Sequence, residues 1–328
     1  MPAGEFELID QLIARIGARP SGGLLLPAGD DAAVIRHKDP LAVSTDMFIE
    51  NVHFKRAWQS PGDIGYKALA VNLSDMAAMG AWPLYFLLNL ALDREPDEEF
   101  IQHMAQGMAD AARPYAVPLI GGDVSRAREL VLAITIIGRV IARPLTRSGA
   151  QAGDFICTTG PLGAAAAGME LLDNPGVPQN VLQPLKERLL RPLARVHQGR
   201  TLARQSHATA VIDISDGLTA DLLHILSASG TGAELYKDRI PVHGAIAKAA
   251  SWLRRPPLHY ALYGGEDYEL LFCAKINDDK PGPCLYDDLL KQQYPCYVIG
   301  RVIEEPRRIY LVEGGSRTRL RPGGFRHF

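Results

Sequence analysis

The sequence predicts an α/β (α+β) protein of two domains. Three observations lead there. The chain has 328 residues, long for a single core. Strand-like and helix-like apolar patterns follow one another along it. The apolar periodicity lapses over the polar turn from Pro144 to Gly153 and then restarts. That lapse sets the domain boundary, giving segments 1–146 and 147–328.

The elements read in order. "EFELIDQLIARIG" places Leu8, Ile9, Leu12, Ile13 and Ile16 on one helical stripe, with acids early, which is the pattern of a helix and not of a signal peptide. "LAVSTDMFI" is a strand, "DIGYKALAVNLSDMAAMG" a helix and "YFLLNLAL" a strand. "PDEEFIQHMAQGMADAAR" is a capped helix, followed by strands at "VPLIGGD" and "ELVLAITIIGRV". After the boundary come the strand "DFICTTG", an alanine-rich helix and further helices. The strand "HATAVIDIS", the helix "DGLTADLLHILSAS" and the stretch "YGGEDYELLFCA" follow.

Composition excludes several classes. With 35 basic and 37 acidic residues the net charge is −2, which gives no general attraction to nucleic acid or an anionic membrane. The longest apolar runs, "LYFLLNLAL" and "LVLAITIIG", are about half the ~20 residues that span a bilayer. Cys157, Cys273, Cys284 and Cys296 form no C-x-x-C pair and have no histidine at zinc spacing, as expected of reduced thiols in a cytoplasmic protein.

Acids recur where apolar runs end. "LPAGDDAAVI" sets Asp30 beside Asp31; "VSTD" ends at Asp46, "LIGGD" at Asp123 and "AVIDISD" at Asp213 and Asp216. On the helix "VNLSDMAAMG", Asn72 and Asp75 lie at i, i+3 on one face. Taken singly each is a turn or a cap, and Asp216 before "GLTADLL" has the position of an N-cap. Taken together they sit where α/β proteins hold ligands. Converging carboxylates repel and need a cation. Oxygen donors, including the Ser44 and Thr45 hydroxyls, suit Mg²⁺ rather than Zn²⁺, and Mg²⁺ held by few protein groups brings phosphates with it.

No P-loop, Rossmann glycine motif or protein-kinase signature is present. "TTGPLGAAAAG" admits two readings, a phosphate cradle at a helix N-terminus or small residues that let a helix pack closely.

The ordered set "GEFELI", "GDDAAV", "VSTDMFIENVHF", "YKALAVNLSDMAAMGAWP", "LIGGDVSR", "LTRSGAQAGD", "IDISDGLTADL" and "GGEDYELLF" resembles the thiamine-monophosphate kinases over nearly the whole chain. Its acidic framework is shared with aminoimidazole ribonucleotide synthetases and selenophosphate synthetases. "GEFELI", "NVHF" and "LTRSGA" single out the thiamine enzymes. The resemblance implies a synthetase-like fold. Its N-terminal α/β domain would pair across a homodimer, and its C-terminal α/β domain would close over the nucleotide. It implies ATP as co-substrate, several Mg²⁺ ions and transfer of a phosphoryl group to thiamine monophosphate.

Carried over by position, the resemblance implies metal ligation by Asp30 or Asp31, Ser44, Thr45, Asp46, Asp75, Asp123, Asp213 and Asp216. It implies nucleotide contacts at Gly122, Asp123, Arg147 and Ser215, with Asp46, Asp123 and Arg147 closest to the chemistry. His53 and Glu266 fall on substrate-contacting positions. Where many relatives carry a tryptophan near the C-terminus this chain has Pro322, and Phe325 is the nearest aromatic. The acceptor is a phosphate monoester, already largely anionic at neutral pH, so transfer needs positioning and neutralisation rather than a general base. Two other functions share parts of this pattern: a synthetase of the aminoimidazole ribonucleotide type, and a catalytically silent nucleotide-binding regulator. A selenophosphate synthetase would carry a reactive cysteine in the N-terminal segment, and none precedes Cys157.

Overall fold

A computed structural model describes residues 12, 15, 16, 23–26, 34–93, 97–204, 207–275 and 294–325. Asp30, Asp31, Cys284 and the segment "GEFELI" lie outside these residues. The elements are β1 (Leu24–Leu26), β2 (Val34–Ile35), β3 (Leu41–Ile49), α1 (Pro61–Ala78), β4 (Ala81–Leu92), α2 (Glu98–Ala112), β5 (Leu119–Arg126) and β6 (Val131–Val140). They continue with β7 (Phe155–Thr158), α3 (Ala164–Leu171), α4 (Gln179–Leu190), α5 (Val196–Arg204), β8 (Ala208–Asp213), α6 (Leu218–Ser229) and β9 (Gly232–Tyr236). The last are α7 (Gly244–Ala249), α8 (Pro257–Tyr263), β10 (Leu270–Ala274), β11 (Tyr297–Ile303), β12 (Ile309–Glu313) and β13 (Ser316–Leu320). The chain divides into two compact units, one of the residues up to Met76 with Ala81–Val140, the other of Ala77–Gly80 with the residues from Ile141 onward.

The first unit is built on a four-stranded sheet in the order β3-β6-β4-β5, antiparallel except for the β4–β5 pair. Strand β6 alternates as its sequence requires, burying Leu132, Ile134 and Ile136. Helices α1 and α2 bury Ile64, Leu69 and Leu73, and Ile101, Met104 and Met108. They approach backbone to backbone: a Cβ at Gly65 would overlap the Met104 carbonyl, and one at Gly107 would overlap the Gly62 carbonyl. Asp97 caps α2 by accepting the Glu99 main-chain N–H (3.1 Å), the cap expected from "PDEE". Of the predicted N-terminal helix, Leu12, Arg15 and Ile16 are described. All three are helical, with Leu12 and Ile16 buried and Arg15 exposed, as a stripe at i, i+4 predicts. Edge strand β3 leaves Leu41, Val43 and Met47 exposed at 38%, 64% and 57%.

The second unit holds a seven-stranded mixed sheet in the order β13-β12-β9-β11-β7-β10-β8. Its main core joins Ile156, Ile212, Leu271 and Ile299 of the sheet to Leu218, Leu222 and Ile225 of α6. A second cluster packs α3, α4 and α7 through Leu171, Leu185 and Ile246. The "TTGPLGAAAAG" stretch follows the packing reading. A Cβ at Gly168 would crowd the backbone of Leu185, and one at Gly163, where φ is +89°, would crowd that of Tyr260 and Ala261. No helix among the described residues is long and apolar enough to cross a membrane.

A buried ion cluster ties these helices to the sheet. Glu269, next to β10 and fully buried, accepts from Arg188 Nη2 of α4 (2.7 Å), from Arg195 Nε (2.7 Å) and Nη2, and from Thr159 Oγ1 (2.7 Å). The Thr159 hydroxyl in turn accepts the Leu270 N–H (2.9 Å). A carboxylate this deep is tolerated because four donors replace its water. Glu269→Gln strands two guanidiniums, so urea unfolding should show a loss of about 3 kcal/mol in stability. A loss within the ~0.5 kcal/mol typical of surface substitutions would contradict this.

Candidate active site

In the first unit, Ser44 and Asp46 alternate with the exposed residues of β3 and share the face of buried Phe48. Ser44 Oγ donates to Asp75 Oδ2 across 2.5 Å, joining β3 to α1. Thr45, on the other face, donates to the Ile134 carbonyl (3.1 Å). Asp46 lies in the cross-strand row Asp46–Ile134–Leu88–Gly122, and Asp123 in the next row, Met47–Ala133–Asn89–Asp123. Asp123 is exposed and accepts from Ser125 Oγ (2.9 Å). Gly122 is required by packing: any Cβ there would overlap the Leu88 carbonyl. Asn72 is buried and donates to the Ala68 carbonyl (2.9 Å).

His53 follows a tight turn closed by Asn51 at φ +63°. Its Nδ1 accepts the Ile49 main-chain N–H (3.0 Å), so the ring caps the end of β3, stacked 6.0 Å from Phe48. Lys67, which the sequence reading did not select, is buried in α1 with its ammonium 6.0 Å from the Phe48 ring. A lysine in "YKALAVNL" looks like a solvated helix charge, and only the packing distinguishes it.

In the second unit five selected residues come together. Strand β8 ends at buried Asp213 and runs into Ser215, Asp216 and Gly217. The "GGED" stretch lies alongside: the Glu266 N–H donates to the Ser215 carbonyl (2.7 Å) and the Tyr268 N–H to the Ile214 carbonyl (2.9 Å). Glu266 and Tyr268 both have positive φ, +67° and +51°, strain that clusters at functional sites. A Cβ at Gly265 would overlap the Ser215 carbonyl, which explains a glycine there. The C-terminal residues cross the same loop. Phe325 N–H donates to the Asp216 carbonyl (3.1 Å), Gly323 pairs with Thr219 Oγ1, and the Phe325 side chain is half exposed.

Asp216 is not the N-cap of α6. That position is Gly217, at φ +131°, and it makes no side-chain cap. The amides are held from inside instead, by Asp221, which the sequence reading missed. Its Oδ2 accepts the main-chain N–H groups of Ser215 (3.1 Å), Asp216 (3.1 Å) and Gly217 (3.0 Å). Burial, and then the charges of Asp213 and Asp216, push the Asp221 carboxyl up to about 7, against the pull of the Gly217 N–H. One signal was available: Asp221 shares the buried stripe of Leu218, Leu222 and Ile225 in "DGLTADLLHI".

Arg147 is not gathered into this loop. It is exposed, and its carbonyl accepts from Ser229 Oγ (3.4 Å) at the far end of α6, a 12-residue helix about 18 Å long.

The donor chemistry fits Mg²⁺: carboxylates and hydroxyls, with no thiol or imidazole among them. Among the described residues no three acidic, histidine or cysteine side chains close on one point. The donors occur in pairs, as Ser44 with Asp75, and that suits an ion completing its shell with water and phosphate oxygens.

The fold and this acidic framework define a class. Residues 29–140 match the family described as AIR synthase related protein, N-terminal domain, and residues 151–312 match its C-terminal domain. A thiamine-monophosphate kinase of Escherichia coli (strain K12) is 40% identical over 339 aligned positions, covering 100% of this chain and 99% of the relative. The crystal structure of thiamine-monophosphate kinase from Stenotrophomonas maltophilia K279a superposes with a TM-score of 0.82 at 35% identity, covering 94% of this chain and 96% of that one. The structure described as "AaThiL complexed with AMPPCP and TMP" gives a TM-score of 0.78 at 29% identity over 99% of this chain and 97% of that one. The chain belongs to the thiamine-monophosphate kinases within the AIR synthase related family.

Next to the site, buried Asp267 accepts the Gly163 N–H (2.7 Å), and burial pushes its carboxyl up to about 7, with Glu269's charge adding. A folded pKa above the unfolded value of about 4 means the native state holds the proton longer. This contribution is therefore full below about pH 4 and is lost as pH rises through about 7. Asp267→Asn keeps an acceptor for Gly163 and removes the titration. Its Tm should climb relative to wild type between about pH 4 and about pH 7. Parallel Tm curves for the two proteins over that range would contradict the assignment.

Proposed function

We propose that this chain transfers the γ-phosphoryl group of ATP to thiamine monophosphate, giving ADP and thiamine diphosphate, and that it works in the cytoplasm. The observation that carries this reading is full-length membership of the thiamine-monophosphate kinases. The convergence of Asp213, Ser215, Asp216, Glu266 and Phe325 on one loop system supports it. We assign nucleotide and metal handling to Asp46, Asp75 and Asp123 with Ser44 and Thr45 in segment 1–146, with Asp30 or Asp31 beside them. In segment 147–328 the same task falls to Arg147, Asp213, Ser215 and Asp216.

The acceptor phosphate has a second pKa near 6 and arrives with a nucleophilic oxygen already charged. The chain's residues must then bring two polyanions into line and hold them there. Bound Mg²⁺ supplies neutralisation of phosphate charge. Asp46, Asp75 and Asp123 would hold the ion, Ser44 fixes the Asp75 carboxylate, and Asp221 fixes the loop that presents Asp216. Exposed Arg147 would offer its guanidinium to the nucleotide, and half-exposed Phe325 would lie against the thiazolium of the substrate. His53, whose Nδ1 accepts the Ile49 N–H at the end of β3, is assigned to substrate contact by its place in the "NVHF" motif.

We also propose a homodimer through edge strand β3. Exposed Leu41, Val43 and Met47 lie on a nine-residue strand at the edge of the sheet among the described residues, a surface that monomeric proteins avoid.

Incubation with ATP, Mg²⁺ and thiamine monophosphate should give ADP and thiamine diphosphate in equal amounts by mass spectrometry. Equal turnover of unphosphorylated thiamine would refute the acceptor assignment. Asp46→Asn should lower kcat/KM at least about 100-fold, roughly 2.7 kcal/mol, in a protein that still folds; near-normal activity at limiting Mg²⁺ would remove Asp46 from the mechanism. For the dimer, light scattering should give twice the chain mass for wild type and the chain mass for Val43→Glu/Met47→Glu. A wild-type monomer, or a variant that stays dimeric, would contradict the interface.

A further inference from the structure

A polar cavity lies on the C-terminal sheet. Its volume is about 420 Å³, within the range that holds small molecules. It is lined by Phe155 of β7, Tyr236 at the end of β9, Asp238, Arg239, Arg301 of β11 and the Gly314–Gly315 turn between β12 and β13. In the sheet order, β9 stands four strands from β8 and its Asp213, about 19 Å at the usual strand spacing.

The lining has a definite chemistry. Arg301 lies over the Phe155 ring (4.9 Å to its centroid) and Arg239 over the Tyr236 ring (5.1 Å). Stacking fixes each guanidinium plane and leaves the edge N–H donors free to turn to an anion. Among the described residues neither arginine forms an ion pair, while nearby Arg317 is paired with Glu234 (2.8 Å) and Glu305 (3.1 Å). Two cations against the single carboxylate of Asp238 leave the cavity positive. Gly314 and Gly315, at φ +54° and +83°, form a wall without side chains that lets a ligand approach the main chain.

We propose that this cavity binds an organic diphosphate carrying an aromatic ring. The two arginines would take the phosphates, as guanidiniums match phosphate oxygens in pairs. The ring would lie on the exposed guanidinium and aromatic faces, and Asp238 would accept from an amino group on it. Both products of the proposed reaction, ADP and thiamine diphosphate, carry these three features. The choice of these two probes rests on the proposed function; the chemistry of the cavity does not.

Calorimetric titration of the full chain in EDTA, which removes divalent metal from the acidic framework, tests this with ADP, thiamine diphosphate and inorganic pyrophosphate in separate runs. At least one organic diphosphate should bind, about tenfold more tightly than pyrophosphate, the ring contributing the difference. Arg239→Gln/Arg301→Gln should weaken that binding at least about tenfold, and circular dichroism and kcat should stay at wild-type values because both side chains are exposed. Phe155→Leu should weaken the organic ligand and leave pyrophosphate unchanged. Absence of binding in EDTA, binding indifferent to the arginine pair, or pyrophosphate binding as tightly as both organic ligands would overturn the proposal. These binding measurements read the cavity whether or not the chain turns over thiamine monophosphate.

Discussion

The C-terminal site depends on one carboxylate. Asp221 Oδ2 gathers three consecutive main-chain N–H groups, and without them Ser215, Asp216 and Gly217 would have no fixed course between β8 and α6. The loop in turn supplies the Ser215 carbonyl to Glu266, the Ile214 carbonyl to Tyr268 and the Asp216 carbonyl to Phe325. Two left-handed non-glycine residues and a crossing C-terminal segment thus rest on an arrangement set from inside a helix. Three amide donors favour the ionised carboxylate; burial and the charges of Asp213 and Asp216 oppose it, and the balance falls on the side of a raised pKa.

The same tension runs through the rest of the acidic framework. Carboxylates at strand ends cost stability unless something answers their charge. Where the chain answers with its own cations the acid is structural, as at Glu269 between Arg188 and Arg195. Asp75 accepts from the Ser44 hydroxyl, and exposed Asp123 accepts from the Ser125 hydroxyl. Within "GGEDYELLF" Glu269 braces the sheet while Glu266 lies against the Ser215 loop; of the remaining acids, Asp46 and Asp123 lie within β3 and β5 rather than at their ends, and buried Asp213 ends β8.

Much of this was legible in the sequence for a simple reason. The apolar runs of β5 and β8 give way to an acid at Asp123 and Asp213, and in β3 period-two patterning puts Asp46 on the face of Phe48. The Asp97 cap was legible because capping is local. What could not be read is long-range. Glu269 meets Arg188 and Arg195 across 81 and 74 residues, and no local pattern announces such a pairing. Asp221 was hidden by its own helix, since an acid in the first turn has an ordinary explanation in the helix dipole. The same limit explains Asp216, whose position before α6 matched a cap that Gly217 occupies, and His53, whose ring ends a strand through Ile49. Arg147 stands in a recognisable motif, yet its main chain lies at the opposite end of α6 from Asp216, and a motif carries no distance.

Because the account turns on Asp221, amide hydrogen exchange resolved at Ser215, Asp216 and Gly217 tests it most directly. In wild type these three amides should exchange as slowly as neighbouring amides of β8. In Asp221→Ala, which removes the acceptor and leaves the helix intact, they should exchange at least about tenfold faster, with the amides of Ala210 and Ile212 in β8 unchanged. Equal exchange at the three positions in both proteins would mean that the loop holds its course without Asp221, and would contradict the account.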